Sequence, residues 1–144
     1  MNDSALLSLR VNCPCCRYPT LTRRNDYDIC ELCNWEDSGH DDPYADDICG
    51  GPNGDYSLTE ARANFKRYRC MYRLGSYAQT HHPDSGLAYQ TKGLLMNAFE
   101  RLQASKEFDE ELESEIIRLE KILEDEVIRR LQEHELKNAG KSTS

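Results

Sequence analysis

Two Cys-x-x-Cys pairs constrain this chain more than any other feature. Cys13-Pro14-Cys15-Cys16 and Cys30-Glu31-Leu32-Cys33 are separated by thirteen residues. Each pair can chelate from one tight turn, so together they offer four thiolates at the spacing of a tetrahedral metal site. The cysteines number seven, an odd count, and without an export signal a reducing compartment favours thiolate–metal chemistry over disulfides. The expected ligands are Cys13, Cys16, Cys30 and Cys33, with Cys15 as a spare and an exchange between Cys15 and Cys16 left open. Four soft sulfurs select zinc or iron–sulfur chemistry, and zinc is the expected ion. A closed four-sulfur site leaves no position for water, which makes the metal structural rather than catalytic.

The first half of the chain needs such a staple. Through Tyr56, aliphatic residues are sparse and Gly, Pro, Asp and Asn frequent, too little apolar surface to offset about 1–2 kcal/mol of backbone entropy per residue. Runs 18–22 and 27–30 alternate as strands do, with Arg23-Arg24-Asn25-Asp26 as a polar tip between them. The expected fold class is therefore α+β: an N-terminal zinc-ribbon β-hairpin, then a helix, then a C-terminal helical hairpin. The expected divisions are 1–73 for the cysteine-rich region with its helix, 74–86 for a linker loop, 87–137 for a helical hairpin or one long helix, and 138–144 for a disordered tail.

Ser57-Leu58-Thr59-Glu60 reads as a capping box that opens a helix to about Arg73. Leu58, Ala61, Phe65, Tyr68 and Tyr72 fall on one face; Arg62, Lys66, Arg69 and Arg73 line the adjacent one. From Leu87 onward the apolar steps are three and four, with Leu95, Ala98, Phe99 and Leu102 on one stripe and Leu112, Ile116, Leu119, Leu123, Val127 and Leu131 on another. Residues 105–109 are a weak breaker between them. The short apolar run 5–9 fits a strand or a helical turn equally. The paired His81 and His82 fit an ordinary polar loop better than a second metal site.

The formal charge is −8, and residues 1–56 carry eleven acids against four bases. That balance disfavours nucleic acid, which is held by Lys and Arg on phosphates, and suits a partner with a basic surface. No run of about 18 apolar residues is present to span a bilayer, and the N-terminus lacks a basic, apolar leader; a soluble, cytoplasmic protein is expected.

Residues 13–73 resemble the cysteine-rich CPCC family of small bacterial proteins. The resemblance rests on Cys13-Pro14-Cys15-Cys16, on Tyr27-Asp28-Ile29-Cys30 with Cys33, Trp35-Glu36-Asp37 and Gly39, and on Gly50-Gly51-Pro52-Asn53-Gly54 leading to Ser57-Leu58, Glu60-Ala61-Arg62 and Asn64-Phe65. Arg17 stands where the family's first turn usually has Gly. The helical remainder lies outside the resemblance. Members look like zinc-ribbon proteins, and some stand beside polymorphic toxins in the manner of immunity proteins.

The function expected on these grounds is an immunity-type inhibitor, not an enzyme, that binds a cognate toxin domain and covers its active or substrate-binding surface. Its contact candidates are Glu36, Asp37, Asp41, Asp42, Asp46 and Asp47 with Tyr44 and Tyr77, acids to steer and aromatics to anchor. The competing expectation is a zinc-ribbon module on nucleic acid or the translation and transcription machinery, using the Arg62, Lys66, Arg69 and Arg73 stripe. No membrane partner is expected.

Overall fold

A computed structural model of the chain describes residues 7–142. Four α-helices follow a long irregular N-terminal stretch: α1 Leu58–Tyr68, α2 Tyr77–His81, α3 Gly86–Ala104 and α4 Glu110–Ser142. Two single-turn 3-10 segments, Asp42–Tyr44 and Gly51–Asn53, punctuate the irregular stretch. The run 5–9 begins outside the described residues. Among those described, no helix is long and apolar enough to cross a membrane.

The α+β zinc-ribbon fold is not what forms. Among the described residues there is no β-sheet and no β-hairpin; extended pairing is confined to two isolated antiparallel bridges, Val11 with Leu21 and Ile29 with Glu36. The reason lies in where the backbone donors go. Runs 18–22 and 27–30 do not pair with each other, because each closes its own cysteine turn. Val11 N–H donates to the Leu21 carbonyl at 2.9 Å, and Cys30 N–H donates to that of Trp35 at 2.9 Å. Pro19 has no N–H to give a ladder. Asn25 and Tyr27 both take positive φ, 59° each, which kinks the tip out of extended conformation.

Ser57 caps α1 as its sequence dictates, its hydroxyl accepting from Glu60 N–H at 3.0 Å. Glu60 itself turns to Arg73, 2.8 Å away, instead of completing the box. The helix buries Leu58, Ala61 and Phe65. It stops five residues before Arg73 because Arg69 adopts the left-handed conformation, φ 59°, with its N–H on the Phe65 carbonyl. The chain then doubles back, and Met71 N–H reaches the Cys33 carbonyl at 2.8 Å.

Helices α3 and α4 lie antiparallel: Arg101 meets Glu115 at 2.9 Å near the turn, and Ser85 meets Glu126 at the far end. Leu95, Ala98 and Phe99 are buried together with Leu112, Ile116, Leu119 and Leu123 in one continuous core. The break between the helices falls at 105–109, where Asp109 accepts from Leu112 N–H at 3.0 Å. Residues 74–86, expected as a linker loop, contain α2. The expected frayed tail from 138 is helical through Ser142. With 33 residues against 19, α4 is about 50 Å long and outruns α3 by about 20 Å.

The two halves share a core. Tyr18, from the cysteine-rich half, packs edge-on to Phe65 at 6.2 Å and stacks on Phe99 of α3 at 5.9 Å between ring centroids. Its hydroxyl donates to Glu100 at 2.7 Å, and Arg10 pairs with Glu120 of α4.

Candidate metal centre

The two cysteine turns are near copies of each other. In the first, Cys13 N–H donates to the Tyr18 carbonyl at 2.9 Å and Arg17 N–H to that of Cys13 at 2.8 Å; in the second, Cys30 N–H donates to the Trp35 carbonyl at 2.9 Å and Asn34 N–H to that of Cys30 at 2.8 Å. The residue after each second cysteine, Arg17 or Asn34, has φ 72°. Asn tolerates that conformation easily, whereas for Arg it costs about 1–2 kcal/mol. The turn therefore keeps its shape with Arg17 at this position.

Together the turns converge four sulfurs. Cys13, Cys16, Cys30 and Cys33 are all buried, with their Sγ atoms within 4.8 Å of one another. Two edges of this arrangement, Cys13 to Cys33 and Cys16 to Cys30, measure 3.6 Å. Thiolates about 2.3 Å from one tetrahedral ion stand about 3.8 Å apart, so the four cysteines could hold a single metal ion with little rearrangement. Cys15 is buried beside them without being one of the four, and its N–H points at Cys13 Sγ, 3.4 Å away.

The electrostatics suit a cation. Burial alone would raise the Cys30 thiol, but hydrogen bonds from Cys13, Cys16, Cys33 and Thr20 outweigh it and hold Cys30 well below the ordinary thiol range; the Thr20 hydroxyl lies 3.0 Å from its sulfur. Cys16 is pushed up by its bonds to Cys13 and Cys30. Cys33 is pushed up first by burial and then by the sulfurs of Cys13, Cys15, Cys16 and Cys30. Four such neighbours ionise together only around a positive ion.

The segment after the second turn is locked down by Asp37. Its carboxylate is fully buried and accepts from Arg24 Nε at 2.9 Å, Asn25 N–H at 2.7 Å and Gly39 N–H at 3.1 Å. Burial raises its pKa, but Arg24 and the two amides outweigh that effect and keep it below the usual carboxylate range. Gly39 is required here: it has φ 95°, and a Cβ would come within 2.6 Å of the Asn25 side-chain oxygen. Asn53 brackets the next stretch, accepting from Glu36 N–H at 3.0 Å and donating to its carbonyl at 2.7 Å. Trp35 is fully buried with its ring 5.8 Å from that of His40.

The expected contact residues divide accordingly. Asp37 is internal and has no surface to offer a partner. Asp41 pairs with Arg24 at 3.0 Å, Asp42 with Arg17 at 3.1 Å and Arg62 at 2.6 Å, and Asp46 accepts from the Thr59 hydroxyl. Glu36, Asp47, Tyr44 and Tyr77 retain solvent access, and the two tyrosines are 62% and 68% exposed. Tyr77 stacks on His81 with centroids 4.1 Å apart.

The basic stripe is largely consumed. Arg62 donates to the Pro14 carbonyl at 2.9 Å as well as to Asp42. Arg69 donates to the Tyr89 carbonyl at 2.8 Å with its guanidinium over the Tyr89 ring, and Arg73 pairs with Asp55 and Glu60. Of the four, only Lys66 has no such partner among the described residues. His81 and His82 gather no metal set: among the described residues the four cysteines are the one convergent group of three or more ligand side chains.

Arg24, Asn53 and His40 escaped the sequence reading. Arg24 looks like a solvent-facing tip residue, and nothing in its neighbours marks the carboxylate thirteen positions on. Asn53 does sit in a distinctive Gly50-to-Gly54 motif, and that motif carries the signal.

A pair of buried Cys-x-x-Cys turns stapling an irregular stretch to a helix defines a small cysteine-clamped protein. Residues 11–84 match the family described as Cysteine-rich CPCC, and the chain belongs to that family. Comparison with curated proteins and with solved structures returned no match.

Proposed function

We propose that the four cysteines hold one structural zinc ion, and that the protein so stapled is a cytoplasmic, non-enzymatic binding protein of immunity type, which occludes a functional surface of a cognate toxin. The observation that carries this reading is the closed sulfur cluster: two separations of 3.6 Å, with all four Sγ atoms within 4.8 Å of one another, fit a single ion, and all four positions belong to buried protein sulfur. Such a centre has no open site for substrate or water, so its contribution is rigidity. Zinc would be held by Cys13, Cys16, Cys30 and Cys33 and would supply folding free energy, not chemistry.

Rigidity in turn supports recognition by the loop that the staple holds. Tyr44 is the exposed aromatic of that loop, Asp47 adds charge beside it, and Tyr77 is a second exposed aromatic; such residues anchor and steer protein complexes. The immunity role itself rests on the family resemblance, since some members stand beside polymorphic toxins in the manner of immunity proteins.

Two measurements test the two parts. Elemental analysis of purified protein should give one zinc per chain; iron, or a fully folded metal-free protein, overturns the metal assignment. Co-expression with the toxin encoded beside its gene should rescue growth and co-purify the pair, and Tyr44→Ala should weaken the complex. Absence of both rescue and co-purification overturns the immunity role while leaving the zinc result standing.

A further inference from the structure

A cleft of about 860 Å³ opens between the segment leaving α1, helix α2 and the loop after it, the start of α3, and the overhanging half of α4. Its walls come from both the family region and the helical addition. That volume lies within the range of small-molecule sites, about 300–1,000 Å³.

The charges in the cleft do not cancel. Each acid has a basic partner: Asp84 the buried Lys92 at 2.7 Å, Glu126 Arg129 at 2.7 Å, and Glu133 both Arg129 at 3.1 Å and Lys137 at 3.9 Å. Two arginines stand apart. Arg130 donates to a neutral group, the Pro83 carbonyl, at 3.1 Å, and neither it nor Arg67 has a carboxylate within 4.0 Å among the described residues. The surplus charge facing the cleft is therefore positive, in a chain whose net charge is −8.

Among the small and aliphatic residues of the lining stand six aromatic rings, three tyrosines and three histidines. Tyr68, Tyr72 and Tyr89 line the cleft, with one face of the Tyr89 ring carrying the Arg69 guanidinium. His82 and His134 stand in its wall with ring centroids 5.2 Å apart. Guanidinium groups bind phosphate with paired, charge-assisted hydrogen bonds, and tyrosine faces stack on planar bases. The surrounding negative charge repels a long polyanion, so the ligand must be small enough to lie within the walls.

We propose that this cleft binds a small phosphorylated aromatic compound of the nucleoside mono- or diphosphate class, with phosphate on Arg67 and Arg130 and the base against the tyrosines.

Isothermal titration of the metal-loaded full chain tests this with AMP, GMP, CMP and UMP, the corresponding diphosphates, adenosine and inorganic phosphate as probes. At least one nucleotide should bind saturably with a sub-millimolar dissociation constant, and adenosine and inorganic phosphate should each bind at least about tenfold more weakly. Arg67→Glu and Arg130→Glu should each weaken binding by about tenfold or more, while Lys121→Glu, outside the lining, leaves it unchanged. If either Glu variant loses helix content, the Gln variant at that position decides. No saturable heat with any nucleotide overturns the proposal. So does inorganic phosphate binding as tightly as the nucleotides, or an affinity indifferent to both arginine substitutions.

Discussion

The cysteine-rich half and the helical hairpin solve the same problem by opposite means. Between residues 11 and 56 there is almost no regular structure, and shape is held by turn hydrogen bonds, a sulfur cluster and the buried Asp37–Arg24 pair. In α3 and α4 there is little except regular structure, held by an apolar seam from Leu95 and Phe99 to Leu123. A stretch poor in aliphatics can reach a defined structure when a few strong, directional contacts replace many weak ones.

The comparison breaks hardest at the sulfurs. Cys30→Ser should abolish stoichiometric metal and remove stabilisation on the order of 10 kcal/mol from the first half. Amide resonances of residues 11–56 should then collapse to unfolded positions while those of α3 and α4 stay dispersed. Loss of both sets together would mean that the halves form one cooperative unit. Phe99→Ala tests the seam where the halves meet and should cost about 3–5 kcal/mol in denaturant unfolding, with metal content unchanged.

Smaller effects sharpen the contrast. Asp37→Ala strands Arg24 and two amides, and should cost about 2–3 kcal/mol, read as a shift in the denaturation midpoint. In the helical half, Glu126 is held at about 2 by Arg129 and Ser85. A carboxyl with a depressed folded pKa gives stability that is complete above its unfolded value and fades as pH falls through the folded one. The difference in melting temperature between the parent and Glu126→Gln should therefore shrink from about pH 4.5 toward about pH 2. Least of all, Arg17→Gly relieves a left-handed arginine at the cost of its exposed contact with Asp42, and should stabilise by no more than about 1 kcal/mol in thermal unfolding.

What the sequence reveals follows from how local each determinant is. The convergence of Cys13, Cys16, Cys30 and Cys33 is legible because Cys-x-x-Cys spacing is a property of single turns. The cap at Ser57 and the apolar steps of α3 and α4 are legible for the same reason. The hairpin expected between 18–22 and 27–30 fails because alternation cannot say which strand a run pairs with, and here each run closes its own cysteine turn. The acids from Glu36 to Asp47 read as a surface patch, yet Asp37, Asp41 and Asp42 are taken up by Arg24, Arg17 and Arg62. Their partners lie from thirteen to twenty-five positions away in sequence, and charge counting has no access to such distances. Helix α1 is shorter than its sequence pattern predicts because Arg69, an ordinary helix former, turns left-handed where its guanidinium reaches Tyr89.

Trp35 is the chain's single tryptophan. It is fully buried two positions after Cys33, and its indole N–H has no acceptor among the described residues. The molecule thus carries a built-in optical reporter on one side of its architecture. Indole emission registers the packing around Trp35, beside the second cysteine turn, and is silent about fraying along α4. Fluorescence and helical circular dichroism followed in one cuvette therefore observe different halves of the same chain without a label.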